Sequence, residues 1–154
     1  MMQPNNPTQE HGAEQAAALR RLRRARIAEA TRIRRVVADN YLLTPAHLLS
    51  PCRVAVRAEA RQVAMWLMRT RLTWPLPTRN REFPCERIGR LLGHRDHSTV
   101  LHGVVVLAAR LTSGRGEDAS LRQMVRAIDA ALDATSSLRA PPAGRVARRC
   151  SGKG

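Results

Sequence analysis

Long apolar runs are missing from this sequence: nowhere are about 18 consecutive residues apolar, so no segment reads as a transmembrane helix. The N-terminus is polar, with Pro4 and Pro7 where a signal peptide would carry its apolar stretch. Cysteine is scarce. Cys52, Cys85 and Cys150 are odd in number and show no Cys-x-x-Cys spacing, which excludes a disulfide framework and a thiolate zinc site and fits a reducing cytoplasm. Also absent are a phosphate-binding glycine loop, a Ser/His/Asp set with supporting context and paired carboxylates in apolar surroundings, so an enzyme would have no residues to work with. His94, His97 and His102 invite a metal reading. Five residues separate His97 from His102, however, which turns their side chains about 140° apart on a helix, so they would not converge on one ion. Neither metal nor cofactor is expected.

Positive charge is plentiful. Among 154 residues, 27 are basic and 12 acidic, a formal net charge of +15. It divides as +5 for residues 1–35, +6 for 36–112 and +4 for 113–154, so no single tail accounts for it. A polyanion is the natural partner. All the basic residues except Lys153 are arginine, the side chain suited to bidentate phosphate and guanine contacts.

The length allows one helical core with tails. Residues 1–13, rich in Asn, Pro and Gln, read as a disordered leader. Residues 14–39 follow a helical pattern, with Leu19, Leu22, Ile27, Ile33, Val36 and Val37 apolar and eight arginines elsewhere. Thr44-Pro45 reads as an N-cap followed by proline in the first helical position, opening a short helix that stops before Pro51. Residues 52–58 read as a basic loop. A helix from about Ala58 to Leu72 places Ala60, Val63, Ala64, Leu67 and Met68 on one face. Three prolines between residues 73 and 84 forbid a regular helix there, Trp74 and Phe83 being suited to packing and Arg79 and Arg81 to phosphate. A final amphipathic helix spans Ala119–Ala134 on Leu121, Met124, Val125, Ile128 and Leu132, after which residues 136–154 read as a basic disordered tail.

The most informative stretch is Gly93-His94-Arg95-Asp96-His97-Ser98-Thr99-Val100-Leu101-His102-Gly103. Its apolar positions Val100, Leu101, Val104, Leu107, Ala108 and Leu111 form a helical face, while Asp96 to Thr99 hold no core position. Upstream, Glu86 to Leu92 reads as a short helix with Ile88, Leu91 and Leu92 on one face, closed by Gly93 in a positive-φ conformation. Helix, glycine turn and polar-headed helix make a helix-turn-helix, whose second helix aims its first turn at base edges. Asp96 is suited to accept from a cytosine or adenine amino group in the major groove, or else serves only as the N-cap. His97 and Ser98 have base-reading chemistry, Thr99 and His102 phosphate-binding chemistry, and Arg95 suits either target.

Arg95-Asp96-His97-Ser98-Thr99-Val100-Leu101-His102, with Arg61-Gln62-Val63-Ala64-Met65-Trp66-Leu67 and Ile88-Gly89, resembles the C-terminal DNA-binding domain of the bacterial replication initiator DnaA. The resemblance covers roughly residues 32–112. It implies an all-α domain with a helix-turn-helix that recognises the duplex element called a DnaA box, preceded by an Arg-rich connector helix. Domain limits of 14–112, with a separate C-terminal helix at 113–135, follow. Arg61 and Gln62 resemble the family's phosphate-binding pair, and Arg53 and Arg57, in the loop before them, are suited to a narrow A·T-rich minor groove. Glu59 departs from that pattern, because a carboxylate in the loop opposes phosphate; Arg57 is then either a DNA contact, a solvated side chain or Glu59's partner. The segment 73–84 is longer than the family's connection at this place. No Gly-x-x-x-x-Gly-Lys-Ser/Thr is present, so the initiator's ATPase module is not expected. The resulting expectation is a cytoplasmic, nucleoid-associated protein that binds double-stranded DNA, regulates replication or transcription and competes with the full-length initiator. The alternative reading is an Arg-rich amphipathic adaptor at a membrane surface or on a protein, with non-specific nucleic-acid binding.

Overall fold

In the computed structural model, which describes residues 7–137, the fold is all-α apart from one short hairpin. The helices are α1 (Pro7–Asn40), α2 (Pro45–Leu49), α3 (Ala55–Arg71), α4 (Cys85–Leu91), α5 (His97–Thr112) and α6 (Ala119–Ser137). Strands β1 (Thr73–Pro75) and β2 (Asn80–Glu82) pair antiparallel between α3 and α4, with Trp74 opposite Arg81, and a 3₁₀ turn at Gly116–Asp118 precedes α6. The expected tail 138–154 and the first six residues of the leader lie outside the described residues.

Three boundaries differ from expectation. Residues 7–13, expected in a disordered leader, are helical, because Pro7 can open a helix without forfeiting a hydrogen bond and the Ala- and Glu-rich run behind it propagates one. The helix expected from Ala58 starts at Ala55, where the Ala58 N–H already donates to the Val54 carbonyl at 2.9 Å. Arg57 and Glu59 therefore stand on α3 and not in a loop. Residues 73–84 are non-helical as expected, but pair as a hairpin that their prolines did not announce.

The core is built around α3, whose Ala60, Val63, Ala64, Met65, Leu67 and Met68 are buried. On one side lies α5, which contributes Val100, Gly103 and Leu107. Leu101, expected in that face, is 51% exposed, since it stands a full helical step of about 100° from Val100. On the other side lies α1, with Ala30, Ile33, Val37 and Ala38 buried. Outside α1 packs α6 through Leu121, Val125, Ile128 and Leu132, a period of three to four residues, and Arg32 donates to the Leu132 carbonyl at 3.1–3.2 Å. Arg71 at the end of α3 reaches both Asp129 and Asp133 of α6.

The turn from α1 into α2 is a Schellman motif: the Leu43 N–H donates to Ala38 O at 2.8 Å and the Leu42 N–H to Asp39 O at 3.1 Å. Leu42 occupies the left-handed position of this motif at φ +54°, and its side chain is 94% exposed. A left-handed conformation costs a non-glycine residue about 1–2 kcal/mol, and this side chain returns no burial. Leu42→Gly should therefore raise the unfolding free energy by about 1 kcal/mol in urea titrations, even after the added freedom of the unfolded chain.

Candidate nucleic-acid interface

The helix-turn-helix is fixed by two glycines. Gly93 has φ +89°, and a Cβ there would stand 2.1 Å from the Leu49 carbonyl oxygen; a Cβ on Gly89 would stand 2.0 Å from the Arg95 oxygen. The turn can thus press against α2 on one side and α4 on the other. Gly93 takes the left-handed position foreseen from sequence, and His94 follows it at φ +56°. The Arg95 N–H donates to Gly89 O at 3.0 Å, which closes the turn.

From this turn α5 starts with its polar residues outward. Asp96 is the N-cap by backbone conformation, at φ −63° and ψ 150°, yet its side chain makes no capping hydrogen bond. Its carboxylate is exposed, as are His97, Ser98, Thr99 and His102. The free N–H groups and positive dipole end of a helix N-terminus add a pull on anions at this place.

Behind the first turn of α5 two guanidiniums meet one carbonyl. Arg61 of α3, only 5% exposed, donates through Nη1 to Ser50 O at 2.6 Å and through Nη2 to Cys52 O at 2.5 Å. Arg95, half-buried, donates through Nη2 to the same Ser50 oxygen at 2.8 Å and through Nε to Leu92 O at 3.2 Å. Burial and then the neighbouring Arg95 charge hold the Arg61 guanidinium below its ordinary range. Two like charges side by side make a place where an anion relieves repulsion. A shallow depression beside them is lined by Ala58, Gln62, Met65, Thr99, His102 and Gly103.

The structure therefore gathers Arg61, Gln62, Arg95, Thr99 and His102 around one depression, although 41 residues separate the first from the last. Asp96 lines adjoining hollows on the other side of Arg95, one of them with His97. Arg53 is exposed in the α2–α3 connection. Arg57 is half-buried against the Cys52 thiol, which a hydrogen bond from the Val54 backbone, and after it Arg57, hold below the usual thiol range.

The model of the bacterial DnaA helix-turn-helix family matches residues 30–106, half of the chain. This chain belongs to that family. Among relatives, the chromosomal replication initiator protein DnaA of Bradyrhizobium sp. (strain BTAi1) is 40% identical over 96 residues, covering 62% of this chain and 18% of the relative. DnaA of Caulobacter vibrioides is 39% identical over 89 residues, 58% of this chain and 16% of its own length. DnaA of Xanthobacter autotrophicus is 44% identical over 72 residues, 47% of this chain and 12% of the relative. The chain thus spans less than a fifth of the length of these relatives. The DnaA family match ends before α6 and begins after the first 23 residues of α1.

Two further residues line this surface: Arg90, which the sequence reading passed over, and His94, which it weighed only as a metal ligand. Arg90 is exposed on α4 and lines a hollow with Glu86, His94, Arg95, Asp96 and His97. His94 stands in it through the left-handed turn. The signal for Arg90 was the architecture itself, because the first helix of a helix-turn-helix crosses the DNA backbone and its outer edge faces phosphate.

Glu59 does not oppose phosphate in the way expected of a loop carboxylate. It accepts from the Tyr41 hydroxyl at 3.0 Å and from Arg110 Nη1 at 2.9 Å. Arg110, on the last turns of α5, also donates through Nε to Asp118 at 2.9 Å, and the Ser113 hydroxyl donates to the second Asp118 oxygen at 2.8 Å. The far end of α5 is tied to α3 and α1 by this chain of bonds. The Ser113 hydroxyl, and with it Arg110, hold the Asp118 carboxyl below the usual carboxylate range. A depressed carboxylate pKa contributes stability that is present above the unfolded value near 4 and is lost as pH falls through the folded value. Asp118→Asn should remove that contribution, so that the variant loses less stability than the parent as pH falls below about 4 in denaturant titrations.

Proposed function

We propose that this protein binds double-stranded DNA sequence-specifically at DnaA-box-like sites and thereby regulates replication initiation or transcription. The observation that carries this reading is the convergence of Arg61, Gln62, Arg95, Thr99 and His102 beside the exposed Asp96, His97 and Ser98. The first group has phosphate-binding chemistry and sets the register of α5 on the duplex; the second offers acceptors and donors to base edges in the major groove. Asp96 supports a reading role because its carboxylate makes no capping bond. Arg53, exposed in the α2–α3 connection, and Arg57, in the first turn of α3, have the chemistry for a minor-groove or phosphate contact. The curated relatives carry the name of a chromosomal replication initiator, and the helix-turn-helix carried here would occupy sites of the kind that initiator binds. Occupation excludes the initiator, since one major groove admits one recognition helix.

The adaptor alternative is weakened by α1. In its C-terminal half the apolar face that a bilayer would take up is already buried in the core through Ile33 and Val37, although Leu22 nearer the N-terminus is 53% exposed, and no described helix is long and apolar enough to cross a membrane.

Asp96→Ala and His97→Ala should each cost about 1–3 kcal/mol on a duplex carrying the preferred box, with little change on a random duplex of equal length. Fluorescence anisotropy on the two duplexes measures both. Equal losses on both would remove the base-reading assignment.

A further inference from the structure

The hairpin between α3 and α4 is mounted more firmly than a surface insertion requires. Trp74 of β1 is 5% exposed and meets Phe83 edge-to-face, with ring centres 5.6 Å apart at 74°. The guanidinium carbons of Arg23 and Arg87 lie 5.5 and 4.2 Å from the Trp74 ring centre, a double cation–π contact from α1 and α4. Arg23 Nε also donates to Pro75 O at 3.3 Å, and Arg69 of α3 donates to Phe83 O at 2.7 Å while pairing with Glu82. Three helices thus hold the base of the hairpin. Arg79 in the hairpin's turn and Arg81, directly opposite Trp74 on β2, are both exposed and have no ion-pair partner among the described residues.

The hairpin is joined to α4 through Phe83 and Pro84. The outer edge of α4, Glu86 and Arg90, shares a hollow with His97, so this edge runs from the reading turn back toward the hairpin. With α4 laid across the DNA backbone, as the first helix of a helix-turn-helix lies, the hairpin comes over the phosphates that flank the element read by α5. The carboxylates nearby do not cancel its charge: Glu82 is engaged by Arg69, which leaves Glu86 against Arg79, Arg81 and Arg90.

We propose that the β1–β2 hairpin is a second DNA contact, blind to sequence, in which Arg79 and Arg81 each neutralise a backbone phosphate beside the recognised element. This rests on the DNA-binding reading above. It gives the clamp on Trp74 a purpose: two arginines on a fixed arm lose less conformational freedom on binding than two on a loose loop.

The test is the salt dependence of binding by the full chain, since each phosphate neutralised contributes about 0.9 to the slope of log K against log salt. The double variant Arg79→Ala/Arg81→Ala, altered only at exposed positions, should lower that slope by about 1.8, which shrinks the affinity lost between about 50 and 200 mM salt by roughly twelvefold. Its preference for the box over random duplex should be unchanged. A control, Arg115→Ala/Arg126→Ala, removes the same charge from exposed positions outside the hairpin and should leave the slope as in the parent. An unchanged slope in the hairpin variant, or an equal fall in the control, overturns the proposal. If the parent shows no box preference while the hairpin variant still loses about 1.8 in slope, the box reading fails and the hairpin contact stands.

Discussion

The Ser50 carbonyl oxygen is the point on which this interface depends. It accepts from Arg61 of the central helix α3 and from Arg95 of the helix-turn-helix turn, at 2.6 and 2.8 Å. One backbone oxygen thereby fixes the α2–α3 connection, the core helix and the turn that leads into α5 relative to one another. Charge-assisted bonds of this kind are stronger than neutral ones, and here they are at least partly shielded from water. Removing either arginine would leave the Ser50 carbonyl with one donor and loosen one of the two elements it ties together. The same two cations, brought together by the fold against their own repulsion, leave a local field that favours an anion. Structure and proposed recognition therefore share one electrostatic cause.

The opposite end of α5 is held by the complementary arrangement. Arg110 stands between Glu59 and Asp118, and Glu59 in turn accepts from Tyr41. Burial, and then the Glu59 charge, push the Tyr41 hydroxyl above its ordinary range, so it stays protonated and remains a donor to that carboxylate. With carboxylates consumed by internal cations here and at Glu29–Arg32 and Arg71–Asp129, the net positive charge is left to exposed arginines. The number of arginines sets the net charge of this chain, and these pairings set where on the surface it is displayed.

Much of the fold was legible in the sequence because helical period and turn chemistry are local. The Thr44-Pro45 start, the stop before Pro51 and the Gly93 turn all follow from single-residue backbone preferences, and each is present. The core faces of α3 and α6 followed from apolar spacing. What escaped is what depends on neighbours in space. The early start of α3 moved Arg57 and Glu59 onto a helix, and only the third dimension gives Glu59 its partners, Tyr41 and Arg110, from 18 and 51 residues away. The hairpin was hidden by Pro75 and Pro77 within it and Pro84 after it, which are tolerated because the pairing is only three residues long on each strand. Leu101 read as core because a helical face drawn from sequence has no fixed edge. At the candidate site, residue types and spacing singled out the polar string, but not the double grip on Ser50 or the place of Arg90, since carbonyl acceptors leave no trace in composition.

Whether this protein occupies the initiator's own sites is tested most directly by footprinting on origin DNA carrying DnaA boxes, with purified initiator present at fixed concentration and this chain titrated in. The account predicts protection of the boxes by this chain alone, and displacement of the initiator from the same boxes as its concentration rises. Simultaneous occupancy of one box by both proteins, or no footprint at any box, would contradict it.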